Sequence, residues 1–173
     1  MPEKLVAFPP IASVGARLLV LGSMPGMKSL QAQQYYAHPR NAFWPIMEQL
    51  FSIPADMDYA ERCRRLADKG VALWDVINRC EREGSLDSAI KPATLEPNDF
   101  RQFFHHHARL SHVFFNGAKA EDVFNRQVLP AMGEAFPQLV YCRLPSTSPA
   151  YAALTFEAKL LAWRAIADAL DYS

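Results

Sequence analysis

The chain has 173 residues, half of them hydrophobic, so it can bury a core without disulfides, and we expect one domain over residues 1–173. Eighteen basic residues balance eighteen acidic ones, which excludes a global positive field for attracting nucleic acid. Its three cysteines are widely spaced, which predicts no disulfide framework, zinc site or iron–sulfur cluster and a reducing cytoplasm. The sequence shows neither an apolar run of ~20 residues nor a signal peptide, which predicts a soluble protein that is not exported.

Residues 1–17 contain three prolines and are predicted to form an irregular lead-in. The apolar run at residues 18–21 predicts a strand buried on both faces of a parallel sheet. A turn-forming segment follows, and ligands bind at this end of a strand in an open α/β sheet. Its spacing fits neither a P-loop nor a dinucleotide fingerprint, and a plain strand-to-helix turn fits as well as a binding loop. The candidate substrate-binding residues here are Gly22, Ser23, Met24 and Pro25.

Residues 35–44 crowd aromatic, polar and cationic side chains together, which suits recognition of a flat heterocycle. Tyr36 offers a face for stacking, and the amide of Asn41 offers a donor beside an acceptor, which can read the edge of a base. Asn41 also fits a helix cap or a turn residue. His38 is a candidate proton donor, although a hydrogen bond that orders the loop explains it equally well. Pro45 places the start of the next helix close to itself.

The next elements alternate between helix and strand. Helices are predicted at residues 27–34, 45–51 and 59–69, the last closed by Gly70. The apolar run at residues 71–77 predicts a second strand, with Asp75 as its single charge. Asp75 either pairs with Arg79 or Arg82 or accepts a hydrogen bond from a ligand N–H at the end of the strand.

The second half continues the alternation. A helix begins after Asn98 and Asp99 and runs through His107, and the three consecutive histidines at 105–107 point in different directions, so they cannot share a metal ion. Strands at 113–115 and 139–144 and helices at 118–129 and 155–170 follow. We therefore predict a three-layer α/β/α sandwich around a mostly parallel four-stranded sheet. Asn116, where the third strand ends, is a further candidate substrate-binding residue.

The loop at residues 144–150 is rigid at two prolines and carries three hydroxyls. Small hydroxyls and free backbone N–H groups suit phosphate oxygens without requiring positive charge. An ordinary turn stabilised by serine or threonine side chains explains the composition equally well. The candidate DNA-binding residues are Pro145, Ser146, Thr147 and Ser148.

Three motifs in order, GSMPG (22–26), YYAHPRNAFW (35–44) and LPSTSPA (144–150), with LWDVINRCEREGSLDSAI (73–90) between them, resemble the uracil-DNA glycosylase superfamily, and most closely its hypoxanthine-DNA glycosylase branch. The resemblance covers most of the chain. It implies a base-excision repair enzyme that flips a deaminated base, most closely hypoxanthine, out of DNA and hydrolyses its N-glycosidic bond. It implies no cofactor, no metal and no membrane, and we expect a monomer.

The resemblance also assigns roles to residues. Tyr36 matches the aromatic residue that stacks on the flipped base, and Asn41 matches the catalytic asparagine of the hypoxanthine branch. A polar residue near Asp75 helps relatives read the base, and the loop at 145–148 presses on the DNA backbone. Met24 stands where uracil-removing relatives carry the Asp or Asn that positions water, and Leu144 stands where many relatives have histidine. Both departures argue against classical uracil chemistry.

Three alternatives to hypoxanthine excision stay open. Uracil shows the same acceptor and N–H pair as hypoxanthine, so uracil or xanthine excision is the nearest one. The loss of a carboxylate at Met24 supports a different class, a non-catalytic module that binds nucleotides or nucleic acid. An α/β hydrolase is least supported, because the chain has no G-x-S-x-G motif. Lys28 is the only lysine near the central motifs, so no Schiff-base intermediate is expected.

Overall fold

The computed structural model describes residues 3–171. Its strands are β1 (Leu5–Val6), β2 (Leu18–Gly22), β3 (Val71–Asp75), β4 (Ile77–Cys80), β5 (Glu96–Pro97), β6 (His112–Asn116) and β7 (Val140–Leu144). Its α-helices are α1 (Met27–Ala32), α2 (Phe43–Phe51), α3 (Tyr59–Asp68), α4 (Phe100–His106), α5 (Ala118–Val123), α6 (Leu129–Met132) and α7 (Phe156–Asp171). A π-helical turn, Phe124–Val128, joins α5 to α6, and short 3-10 turns lie at Asp87–Ala89 and Pro92–Thr94.

The central sheet has four parallel strands in the order β3-β2-β6-β7. Residues 18–21 of β2 are fully buried because their side chains alternate between two hydrophobic cores. Leu19 and Leu21 pack with residues of α4, α5 and α6 on one face, and Leu18 and Val20 pack with residues of α2, α3 and α7 on the other. The predicted α/β/α sandwich with a parallel four-stranded sheet is confirmed.

A second sheet was not predicted. It is antiparallel, in the order β1-β4-β5, and it takes β1 from the segment predicted to be irregular. The predicted strand at 71–77 therefore ends early, at Asp75, and the chain continues into β4 of the second sheet. Strands as short as β1 and β5 bury too few side chains to produce a recognisable alternation of apolar and polar residues in the sequence. Met1 and Pro2 of the predicted lead-in lie outside the described residues.

The helix boundaries differ from the predicted ones by a few residues. α2 begins at Phe43, two residues before the predicted start, and includes Pro45 in its first turn, where backbone N–H groups have no partner within the helix. The positive φ of Gly70 (91°) closes α3 as predicted. The predicted helix at 118–129 extends to Met132 through the π-helical turn. No helix between residues 3 and 171 is both long enough and apolar enough to span a bilayer.

Candidate active site

A cavity of about 690 Å³ lies at the carboxyl ends of the central strands. It is bounded by the loop after β2, the segment before α2, the segment at residues 85–88, the start of α5 and the loop after β7. The structure brings to this cavity every residue predicted to bind or act on substrate: Gly22, Ser23, Met24, Pro25, Tyr36, His38, Asn41, Asp75 and Asn116. They come from four separate parts of the chain, and the parallel sheet aligns them.

Gly22 is required by the close approach of Asp75. A Cβ atom at Gly22 would lie 2.5 Å from Oδ1 of Asp75 and 3.3 Å from the hydroxyl of Tyr36. The two residues are aligned across β2 and β3, so the carboxyl group is held directly over the glycine. The GSMPG segment is therefore more than a turn, because its first glycine makes room for a carboxyl group in the wall of the cavity.

Asp75 forms no ion pair within residues 3–171. Its side chain is only 3% exposed, and its Oδ2 atom has no hydrogen-bond partner within residues 3–171. Arg82 instead donates to the carbonyl oxygens of Pro25 and Gly84, and no ion pair joins Asp75 to Arg79 or Arg82 in the described chain. Of the two interpretations of Asp75, pairing with a nearby arginine is wrong.

Burial raises the pKa of Asp75 to about 7, and the nearby negative charge of Asp87 adds to this rise, while Arg82 opposes it. An aspartate in the unfolded chain has a pKa of about 4. Between about pH 4 and pH 7 the folded protein therefore holds one more proton than the unfolded chain, and the free energy of unfolding falls as the pH rises.

We expect Asp75→Asn to raise the melting temperature more at pH 8 than at pH 5. The amide keeps the size of the side chain but avoids burying a charge, which costs on the order of a few kcal/mol above the folded-state pKa. Each kcal/mol corresponds to about 2–4 °C in a domain of this size. Calorimetry at both pH values measures the effect, with Asp56→Asn, at an exposed position, as the matched control. An equal shift at both pH values would show that Asp75 does not titrate in this range.

Asn41 is held in one orientation. Its Oδ1 atom accepts a hydrogen bond of 2.9 Å from the backbone N–H of Phe43. The backbone N–H of Asn41 donates to the carbonyl oxygen of His38. The side chain thus forms a turn one residue before Ala42, the N-cap of α2, as the turn interpretation predicts, and it does not cap the helix. Its Nδ2 atom has no acceptor among residues 3–171, so two N–H donors remain for a ligand in the cavity.

Tyr36 presents an aromatic wall to the cavity. Its ring stacks on Phe43, with centroids 4.2 Å apart and an interplanar angle of 28°. The backbone of Tyr36 has a φ of 58°, which is costly for a large side chain and persists only where the surroundings hold it. The hydroxyl is buried and lies near the Asn116 side chain, but it forms no hydrogen bond of ordinary geometry within residues 3–171. The ring is therefore positioned for its face rather than for its hydroxyl.

His38 has the role of ordering the loop. Its Nδ1 atom accepts a hydrogen bond of 3.0 Å from the backbone N–H of Arg40. A ring nitrogen that accepts carries no proton, so this contact places the ring N–H on Nε2. His38 lines the cavity and can offer that N–H to a ligand.

The loop after β7 is fastened to β6. The Asn116 side chain and Thr147 exchange two hydrogen bonds of 2.9 Å, one through the backbone N–H of Thr147 and one through its hydroxyl. Thr147 is 1% exposed, and its carbonyl oxygen accepts from the N–H of Ala42 before α2. Its side chain is therefore covered, and it positions the loop rather than facing solvent.

The other three predicted DNA-binding residues have two different roles. The carbonyl oxygen of Pro145 accepts from the indole of Trp163 on α7, and Pro145 does not line the cavity. Ser146 and Ser148 do line it, and each hydroxyl accepts from a backbone N–H two residues later. The turn stabilised by serine side chains is thus present, and it leaves both serines at the rim.

Sequence reasoning missed the segment at residues 85–88. Asp87 accepts a 2.6 Å hydrogen bond from the hydroxyl of Ser23, and the hydroxyl of Ser85 accepts from the N–H of Met27. These contacts join the segment at 85–88 to the loop after β2, and both line the cavity. The stretch EREGSLDSAI was part of the recognised pattern, but a polar loop has no periodicity that predicts where it packs.

Which lysines and histidines line the cavity could be determined only from the fold. Lys119 lines the cavity beside Lys28, although only Lys28 is near the central motifs in sequence. The histidines at 105–107 belong to α4 and its end, and none lines the cavity. Within residues 3–171 no group of three or more His, Cys, Asp or Glu side chains could hold a metal ion.

Comparisons with known proteins agree on one family. The family model described as Uracil DNA glycosylase superfamily matches residues 9–167. A hypoxanthine DNA glycosylase of Methanosarcina barkeri is 34% identical over 131 residues, which cover 75% of this chain and 80% of that protein. A protein of the same description from Methanosarcina acetivorans is 36% identical over 114 residues, covering 65% and 71%.

A solved structure shows the same fold. It is a solution NMR structure from Methanosarcina acetivorans, described as a candidate uracil DNA glycosylase, and it is 30% identical in sequence. The alignment covers 98% of this chain and 99% of that one, with a TM-score of 0.80. Both the matched family model and this structural match extend over the strands and loops that form the cavity.

Proposed function

This chain belongs to the uracil DNA glycosylase superfamily, and from that premise we propose that it is a monofunctional DNA glycosylase that removes hypoxanthine from deoxyinosine. Relatives described as hypoxanthine DNA glycosylases support this substrate. The cavity of about 690 Å³ falls within the range of about 300–1,000 Å³ that small-molecule sites occupy. A base flipped out of the duplex is of that class.

The observation that carries the proposal is the fixed amide of Asn41. When the N-glycosidic bond breaks, its electron pair leaves with the base, and the departing purine gains negative charge. The two N–H donors of Asn41 have no other acceptor in the described chain, and they are held in place by the contact between Oδ1 and Phe43. Preorganised donors of this kind stabilise developing negative charge without having to reorient.

Asp75 supplies the second element of base recognition. Hypoxanthine has an N–H at N1 beside its carbonyl group, whereas adenine has a lone pair at N1. Above its pKa of about 7, Asp75 is a carboxylate whose Oδ2 atom has no hydrogen-bond partner within residues 3–171, and this oxygen accepts a hydrogen bond from the former and repels the latter. Uracil offers a similar N–H, so the size of the cavity and the position of the water must separate the two bases.

Water must attack C1′ of the deoxyribose, because the proposed reaction is a hydrolysis. The water oxygen forms the new bond, the bond from C1′ to the base breaks, and the proton of the water passes to solvent. Met24 lines the cavity and is 7% exposed, but its thioether neither orients nor activates water. The backbone groups of the GSMPG loop are left to hold the water, and most of the acceleration comes from stabilising the departing base.

The rim of the cavity supplies the contact with DNA. We assign Ser146 and Ser148 to the DNA backbone, because both lie at the rim and small hydroxyls bind phosphate oxygens. Pro145 and Thr147 position that loop through Trp163 and Asn116. This division of roles explains how a chain without net positive charge can grip one extruded nucleotide.

A panel of labelled duplexes tests the proposed function. The duplexes contain deoxyinosine, deoxyuridine, deoxyxanthosine or only ordinary bases, and the reactions contain EDTA. We expect abasic sites at deoxyinosine under single-turnover conditions, with strand breaks only after alkali or heat. Cleavage of deoxyuridine alone, or binding without cleavage of any duplex, contradicts the assignment. Borohydride trapping of a protein–DNA adduct would show amine catalysis by a lysine such as Lys28 or Lys119.

A further inference from the structure

A second, smaller recess adjoins the cavity for the base. It has a volume of about 250 Å³, and its lining residues are Pro39, Arg40, Asn41, Ala42, Pro45, Leu154, Phe156 and Lys159. Two of these residues are basic and none is acidic. Arg40 and Asn41 line both the recess and the larger cavity, so they form the shared wall between the two.

Lys159 is a buried ammonium group without an acidic partner. The residue is 6% exposed, and its Nζ atom donates to the carbonyl oxygens of Tyr151 at 2.8 Å and Ser148 at 3.3 Å. No carboxylate of residues 3–171 forms an ion pair with it. An ammonium group has three N–H donors, so one remains after these two contacts. A buried charge without a counter-ion is costly, and burial lowers the pKa of Lys159 accordingly.

Arg40 brings a second positive charge to the same recess. Its backbone N–H is fixed by Nδ1 of His38, but its guanidinium group makes no hydrogen bond or ion pair with any other part of residues 3–171. The planar guanidinium offers several donors in a fork that matches two oxygens of a phosphate group. The recess thus holds two cations that form no ion pair within residues 3–171, although Nζ of Lys159 bonds two carbonyl oxygens and lies 5.4 Å from the ring centre of Tyr151.

We propose that this recess binds a phosphate of the DNA backbone next to the flipped nucleotide, with Lys159 and Arg40 as its counter-ions. Asn41 lies between recess and cavity, so a nucleotide whose base contacts Asn41 has its flanking backbone at the recess. The phosphodiester supplies the anion that Lys159 lacks. Lys159 also holds the carbonyl oxygens of the loop that carries Ser148, so one side chain joins the phosphate to that loop. The assignment rests on the proposed function only in that a nucleotide occupies the cavity.

The experiment measures binding to a duplex that contains a tetrahydrofuran abasic analogue, so that its result does not depend on which base is excised. Uncharged methylphosphonates replace the phosphates around the analogue one at a time, and fluorescence anisotropy gives Kd for each duplex. For the parent protein we expect one position at which Kd rises about tenfold, since a charge-assisted contact is lost. At that position the penalty should shrink to about twofold in Lys159→Met and in Arg40→Gln, because the protein group is already missing.

The salt dependence of binding gives a second measurement. Each variant should reduce the slope of log Kd against log salt concentration by about 0.9, the value for one phosphate contact. Lys69→Gln is the matched control, because Lys69 is exposed and lies at the opposite edge of the sheet. The next residue, Gly70, shows this position, since its carbonyl oxygen accepts a hydrogen bond from the start of β2. It should leave the slope and the methylphosphonate penalties unchanged.

A structural role for Lys159 would have a different outcome. Thermal melting shows whether Lys159→Met folds. If it does not fold, Arg40→Gln, a change at an exposed residue, is compared with the parent for the effect of each methylphosphonate on Kd. If each methylphosphonate raises Kd by the same factor in the parent and in the folded variants, the phosphate assignment is wrong. Inorganic phosphate, added at constant ionic strength, tests a free-anion site. Competition by phosphate without any methylphosphonate effect also overturns the assignment.

Discussion

Asn41→Ala should lower the single-turnover rate on deoxyinosine DNA about 100-fold or more, the usual effect of removing one preorganised donor from a transition state. The substitution removes both N–H donors at the cavity. It also removes the Oδ1 contact with the N–H of Phe43, and the loss of this hydrogen bond costs about 0.5–1.5 kcal/mol of stability. Rates are therefore compared below the melting temperature of the variant. A well-folded Asn41→Ala protein that cleaves at the parent rate would reduce Asn41 to a turn residue before α2.

Asn41→Asp separates the two roles of this side chain. The carboxylate keeps an oxygen for the N–H of Phe43, and a negative charge near the start of a helix is favourable, so α2 should be at least as stable as in the parent. The variant loses both N–H donors and places a negative charge against the departing base. We expect a protein that melts at or above the parent temperature and cleaves nearly as slowly as Asn41→Ala. A fast Asn41→Asp enzyme would indicate that the carboxylate activates water.

Tyr36→Ala should have the second largest effect. Stacking between a base and an aromatic side chain contributes about 1–3 kcal/mol, which corresponds to a loss of roughly 5-fold to 150-fold in single-turnover kcat/KM. The variant also uncovers the face of Phe43 on which Tyr36 stacks, so its melting temperature should fall. Single-turnover kinetics over a range of enzyme concentrations shows whether the loss lies in binding or in the chemical step.

The control for Tyr36→Ala is Tyr36→Phe. The hydroxyl of Tyr36 is buried without a hydrogen bond of ordinary geometry in residues 3–171, so its removal should leave the rate near that of the parent and change stability little. Tyr35→Phe is the matched comparison, because the hydroxyl of Tyr35 donates to the carbonyl oxygen of Pro9 at 2.9 Å, and its loss should lower stability by about 1 kcal/mol. A severe loss of rate in Tyr36→Phe would assign the hydroxyl to hydrogen bonding with the substrate.

The amino-acid sequence by itself determined the layers of the fold and the location of the site. Residues 18–21 and 71–74 are continuous apolar runs, and such runs occur where a parallel strand is covered on both faces. The runs alternate with helical segments, which places their carboxyl ends, and the polar residues that follow them, at one edge of the sheet. Nine predicted residues line one cavity for this reason.

Only the tertiary structure decided what each of these residues can do. The burial of Asp75 against Gly22 and the enclosure of Thr147 by Asn116 depend on contacts between segments that are distant in the chain. The contact that orients Asn41 is local, but only the fold shows that its amide donors face the cavity without an acceptor in residues 3–171. Lys159 had no motif, because it is one charge on an amphipathic helix until the fold buries it beneath a loop. Burial, hydrogen-bond partners and the resulting pKa values arise from packing between elements, and local sequence patterns do not encode them.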